Sequence, residues 1–248
     1  MLEQLNRLPQ VTKNLLIINV LMFFITYLFG NQGINLVETL GAHYINSPLF
    51  EPYQVVSHFF MHGGFFHIFM NMFGLVMFGS LLERMWGPKR FFILYVASAI
   101  GAFALYNVMG YYEIMRLKEQ ILASGVDVND IDKLLKMGQY NQGLYNSNAY
   151  VREYITLSYM PMVGASGAVF GLLAAFAYLF PNTQMYILFI PFPIRAKYLV
   201  GGYVLYETIA GLNSGLGGGI AHLAHVGGAI VGFILVKVWN KYNKKDFY

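Results

Sequence analysis

The sequence predicts an all-α polytopic membrane protein, a bundle of six transmembrane helices, on three observations. Of its 248 residues 57% are hydrophobic and 11% charged, with a mean hydropathy of +0.50, too few polar side chains to cover a soluble globule of this size. Apolar stretches recur along the chain at lengths close to those needed to cross a hydrocarbon core. Glycines at 167 and 171, and again at 228 and 232, form the small-residue repeat that lets membrane helices approach closely.

The spans are expected at about 15–30, 65–82, 91–109, 163–180, 198–212 and 220–239, in one membrane domain covering 1–248. The first follows a short polar segment and has no small-residue cleavage site behind it, so it reads as a retained span rather than a removed signal peptide. Several are shorter than the roughly 20 residues of a full crossing and need flanking aromatic residues or a locally thin bilayer. Basic residues set the orientation. With the N-terminus inside, Arg7, Lys13, Arg84, Lys89, Arg90, Arg195, Lys197 and the C-terminal lysines face the cytoplasm, while 31–57 and 213–219 contain no Lys or Arg. Both termini are then cytoplasmic, which suits a bacterial inner membrane.

Between the third and fourth spans lies a long outer loop, 111–160. Residues 113–123 and 130–137 carry apolar residues at helical spacing, so short amphipathic helices on the bilayer surface are expected, the second capped by Asp130. The Gly-, Asn-, Gln- and Tyr-rich stretch 138–150 reads as loop.

Composition also excludes function classes. A net charge of +4 suggests a nucleic-acid partner, but the basic residues are scattered between apolar spans and form no stripe, so no nucleic acid is expected. Without cysteine there is no disulfide, thiolate nucleophile or cysteine-ligated metal. No H-E-x-x-H occurs, and neither a metal nor a cofactor is expected.

Gly164-Ala165-Ser166-Gly167 stands at the head of the fourth span. Ser166 there is either part of a packing seam or a nucleophile whose glycine-flanked backbone admits a substrate carbonyl. The histidines bear on the choice. Five of the six, His58, His62, His67, His222 and His225, fall just before or inside the second and sixth spans, where ionisable side chains are expensive and mark function by default. His58 and His62 equally suit loop hydrogen bonds. The second, fourth and sixth spans run in the same direction, so His67, Asn71, Ser166 and His225 lie at one depth within roughly two helical turns. A hydroxyl, an imidazole and an amide converging there are what acyl transfer requires.

His58-x-x-x-His62-x-x-x-x-His67-x-x-x-Asn71, Gly164-x-Ser166-Gly167 and Ala224-His225-x-Gly227-Gly228-x-x-x-Gly232 together resemble the rhomboid intramembrane serine proteases, over roughly 12–110 and 160–240. The resemblance implies a rhomboid-like six-helix bundle with Ser166 as nucleophile and His225 as general base, a dyad without a carboxylate. The Ser166 N–H with the side chains of His67 and Asn71 would form the oxyanion hole, supported by Gly164, Gly167, His62, Phe170 and Gly228. Phe170 would stack on His225, and Gly227, Gly228 and Gly232 would let the sixth helix meet the fourth. His222, lacking glycines at +3 and +7, is left a supporting or structural part. The implied substrates are transmembrane proteins cut near the outer face of the bilayer, with the fifth span and the loop 213–219 as gate and cap.

The chain departs from the family pattern in the length of 111–160 and in the first outer loop. Tyr53-Gln54 replaces a Trp-Arg pair of the family pattern in the first outer loop, removing a charged anchor. Glu207, unusual for a lipid-adjacent helix, either holds the gate, wets it, or is paired inside the bundle. Glu83-Arg84 resembles a structural pair of the family, and Ser57, His58 and His62 are expected to bring water to the rim of the site.

Overall fold

A computed structural model describes residues 6–186, 192–213 and 218–243, with backbone alone at 218–220 and 242–243. The expected cap falls outside the described residues at 214–217.

Helix α1 (Gln10–Gly30) occupies the first span, and of its residues only Thr12, Leu15 and Asn19 are buried. Its start is held by another helix. Glu83 accepts from the N–H of Val11 (2.8 Å) and Thr12 (2.7 Å) and from the Thr12 hydroxyl (2.8 Å), satisfying donors that a helix N-terminus leaves open. Arg84 beside it donates to the Arg7 carbonyl at 2.8 Å.

The loop that follows contains α2 (Leu36–Leu40), α3 (Gln54–Ser57) and a 3-10 turn at His58–Phe60. Gln54, where the family pattern has a charged anchor, is buried and is the hub of this loop. Its amide oxygen accepts from the N–H of His43 and of Glu51, and its nitrogen donates to the carbonyls of Thr39 and Leu49, each at 3.2 Å. A neutral amide with two donors and two acceptor lone pairs thus replaces the missing charge.

Helix α4 (Phe65–Gly74) passes through a π-helical turn at Leu75–Gly79 into α5 (Ser80–Ala123). The boundary between the second and third spans is a break inside α5 at Gly87, φ 78° and ψ 168°, a conformation that favours glycine. Pro88 then opens the next helical stretch, where its missing N–H costs nothing. The chain doubles back there, and Phe91 packs on Gly79.

Beyond the third span α5 runs on unbroken to Ala123, so 113–123 is its continuation rather than a separate surface helix. Ile114, Leu117 and Ile121 bury against Ile131 and Leu135 of α6 (Val128–Lys136) and against Val151, Tyr154 and Ile155 of α8 (Ala149–Tyr159). Asp127, not Asp130, caps α6, and Asp130 instead pairs with Lys133 at 3.2 Å. The expected loop 138–150 contains α7 (Gln142–Ser147) and the start of α8, capped by Asn141 and Asn148. The segment 111–160 is a helical layer with its own apolar core. Tyr44 and Tyr106, stacked 4.2 Å apart, join that core to the bundle.

Helix α9 (Ser166–Leu179) leads through a two-residue antiparallel pairing, Gln184–Met185 with Ile194–Arg195, to α10 (Ala196–Asn213) and α11 (Gly218–Asn243). Helical segments cover most of 15–30, 65–82, 91–109, 163–180, 198–212 and 220–239. By length and hydropathy Gln10–Gly30, Phe65–Ala123 and Ala221–Lys241 suffice to cross a membrane, and Ser166–Leu179 is a shorter apolar helix. Helix α11 packs most broadly on α5, α9 and α10. Gly228 and Gly232 lie directly on the backbone of Gly167 and Gly171 in α9, where no Cβ fits. Gly227 faces α5 instead, at Gly101, Ala102 and Leu105, because one helix cannot turn adjacent residues to the same neighbour.

Candidate active site

Ser166 is the first residue of α9, preceded by Ala165 with no side-chain cap, so the opening N–H groups of the helix have no intrahelical acceptor and point toward the cavity end of the bundle. The segment leading to it is tied to the first loop. Ala42 and Met162 exchange two backbone hydrogen bonds at 2.8 Å, and Gly164 N–H donates to the His58 carbonyl at 2.9 Å. Gly164 has φ +118°, and a Cβ there would lie 2.7 Å from His67 Nε2. Glycine is required at this position by both backbone conformation and the closeness of the imidazole.

The Ser166 hydroxyl is 2.8 Å from His225 Nε2. Phe170, one turn along α9, stacks on the His225 ring with centroids 4.4 Å apart and planes 5° from parallel. Around them is a cavity of about 230 Å³ whose walls include His58, His67, Gly164, Ser166, Gly167 and His225.

His67 and Asn71 are one turn apart on α4. His67 reaches the cavity and accepts from Gly63 N–H at 3.4 Å. Asn71 is buried with its amide nitrogen unpartnered, and it does not line the cavity wall. His62 sits behind His67, ring centroids 5.1 Å apart, and is likewise absent from the wall. Burial, reinforced by His67, pushes the His62 imidazole down to about 4, and burial pushes His58 to about 4 although its Nδ1–H donates to the Gln54 carbonyl at 2.7 Å. Both rings are neutral at neutral pH. Ser57, expected at the rim, donates instead to the Leu40 carbonyl at 2.6 Å, so of the three polar rim residues only His58 lines the cavity.

One neighbour of His225 was not expected. No acidic residue lies near it in sequence, yet Glu207 Oε2 on α10 is 2.9 Å from its Nδ1, across a separation of 18 residues, and 2.7 Å from His222 Nδ1. Packing of α11 on α10 brings residues distant in sequence to one level, so the carboxylate-free pair drawn from the resemblance has a carboxylate beside it. The signal was present in the sequence: one acid in an apolar span, followed by two histidines one turn apart in the next. The same three residues hold ligand atoms within 4.8 Å of one another, a spacing open to a metal ion. Here those atoms are hydrogen-bonded to each other.

Comparisons with known proteins agree with this architecture. The family model described as Rhomboid domain matches residues 49–118 and 137–241, starting after α1 and α2 and leaving a gap at the end of α5 and at α6. Rhomboid protein 1, mitochondrial, of Saccharomyces cerevisiae is 28% identical over 199 residues, 79% of this chain and 43% of that protein. RHOMBOID-like protein 12, mitochondrial, of Arabidopsis thaliana is 28% identical over 196 residues, covering 79% and 48%. Rhomboid protease AarA of Providencia stuartii is 25% identical over 238 residues, covering 91% and 70%. The chain spans less than half the length of the first two relatives. Because the family match takes in the helices bearing His67, Ser166, Glu207 and His225 and most of the chain besides, this integral membrane protein belongs to the rhomboid family.

Proposed function

We propose that the protein is an intramembrane serine endopeptidase that cleaves transmembrane proteins near the outer face of the bilayer. The observation that carries this reading is the 2.8 Å contact between Ser166 Oγ and His225 Nε2 at the mouth of an apolar bundle. Ser166 Oγ attacks the peptide carbonyl as its proton passes to His225 Nε2. The tetrahedral oxyanion meets the Ser166 N–H and the positive end of α9, with His67 and Asn71 as further donors. As the C–N bond breaks, His225 returns that proton to the leaving amine, leaving an acyl-enzyme. Water, deprotonated by His225, then attacks the acyl carbonyl, and His225 returns that proton to Ser166 Oγ as the ester bond breaks. Favoured substrates weaken their own helix near the cut, since a stable helix in lipid hides its carbonyls. The loop charges support cytoplasmic termini, in a bacterial inner membrane, with the site on the opposite side.

Labelling of the detergent-purified protein with a fluorescent fluorophosphonate tests this. Wild type and His222→Ala should label, while Ser166→Ala and His225→Ala should not. A wild type that neither labels nor cleaves a generic transmembrane substrate would sink the protease reading and leave a membrane protein that binds clients without cutting them.

A further inference from the structure

We propose that Glu207 is a positioning residue of this site, holding His225 by Nδ1 so that Nε2 is free to take the Ser166 proton. The inference rests on the Ser166–His225 reading above and adds a third member from a different helix. Glu207 is 3% exposed, and a carboxyl group so deeply buried needs hydrogen-bond partners. Its two partners at Oε2 are the Nδ1 atoms of His222 and His225, which lie one turn apart on α11 and so face α10 together.

An ionised Glu207 has no proton to give, so with the carboxylate charged both Nδ1 atoms are the donors. His225 then carries its proton on Nδ1, and its Nε2 lone pair faces the Ser166 hydroxyl at 2.8 Å. When the serine proton arrives, the resulting imidazolium sits 2.9 Å from a negative charge that stabilises it. The ring is therefore held at both nitrogens and, through Phe170, on one face. His222 donates to the same oxygen and divides its accepting power, which ties the second histidine to the first without contact with Ser166.

The decisive measurement is the rate of fluorophosphonate labelling from pH 5 to 9. Among the described residues, the titratable groups near the carboxylate are His222 and His225 on α11 and Tyr203 and Tyr206 on α10, with His67 of α4 on the far side of His225. Glu207→Gln should label about 10- to 100-fold more slowly, with the acidic limb of the profile moved to lower pH because the imidazolium has lost its counter-charge. Glu207→Asp, which keeps the charge, should restore the limb. Glu207→Leu provides a second uncharged variant should Gln fail to fold, and should show the same slowing and the same shift. Either uncharged variant, folded and labelling with the wild-type rate and profile, overturns the assignment. So does loss of wild-type labelling in EDTA that zinc restores, which would make the three groups metal ligands. Ser166→Ala and His225→Ala run alongside: label persisting in them overturns the underlying reading, whereas label lost in them but normal in the Glu207 variants overturns this inference alone.

Discussion

The ring of Phe170 lies flat against the ring of His225, 4.4 Å between centroids and 5° between planes, so the residue one turn after Ser166 in α9 sets the plane in which the imidazole of α11 works. Aromatic pairs contribute about 0.5–1.5 kcal/mol beyond their buried area. Phe170→Leu should therefore slow fluorophosphonate labelling by roughly 3- to 10-fold with little change in unfolding temperature. Phe170→Tyr should retain the wild-type rate. Equal rates for all three proteins would remove the stack from the account.

Gly228→Ala places a methyl group against the backbone carbonyl of Gly167, which has no rotamer to escape into. Overpacking of this kind costs about 1–3 kcal/mol. Thermal unfolding in detergent should drop, and labelling with it, because the added group pushes apart the two helices that carry Ser166 and His225. Gly201→Ala, in open space on α10, is the control and should unfold as wild type does.

Gln54→Ala should destabilise the first loop by about 1–3 kcal/mol, since it leaves the buried N–H of His43 and the carbonyls gathered around the amide without a partner. The loop is tied to the Ser166 segment through Ala42 and His58, so hydrogen exchange should rise at 161–164 as well as at 39–54. Faster exchange confined to 39–54 would show that the two loops are not mechanically joined.

Glu113 lies on α5 past the third span, where burial and the charge of Glu153 lift its carboxyl to about 7, with Arg116 pulling the other way. An acid whose folded value exceeds its ordinary 4.5 contributes its stability below the ordinary value and loses it as pH rises through about 7. The α6–α8 layer should accordingly resist limited proteolysis better at pH 5 than at pH 8. Glu113→Gln should flatten that difference, and a difference unchanged in the variant would assign it to another group.

What the sequence conveyed and what it withheld differ in kind. The apolar segments, and the expectation that Ser166, His225, His67 and Asn71 share one depth, follow from hydropathy and from spans running in one direction, which are one-dimensional properties. The lone acid in one apolar span and the two histidines one turn apart in the next mark a pairing, but Glu207 reaches His225 only through the rotation of α10 about its axis, which packing fixes and no local pattern does. The helices at 142–147 and 149–159 were hidden for a further reason. Asn141 and Asn148 are cap residues in a polar stretch, and helices this short take most of their stability from packing, here through Val151, Tyr154 and Ile155 on the end of α5. Tyr53-Gln54 reads as a loss because it lacks the charge of the family pattern, whereas hydrogen bonding is set by geometry, and here four bonds converge on one amide.

The contact of Gly228 and Gly232 on Gly167 and Gly171 has a mechanical meaning. Where side chains separate two helices, rotamer changes let the gap breathe. Where main chain rests on main chain there is no compressible layer, and the spacing behaves like a gauge block. Ser166 and His225 are mounted on the two halves of that block. A bilayer that thickens, thins or tilts the bundle will therefore spend its force on the softer joints around it, and the 2.8 Å span between Ser166 Oγ and His225 Nε2 will be nearly the same in any lipid.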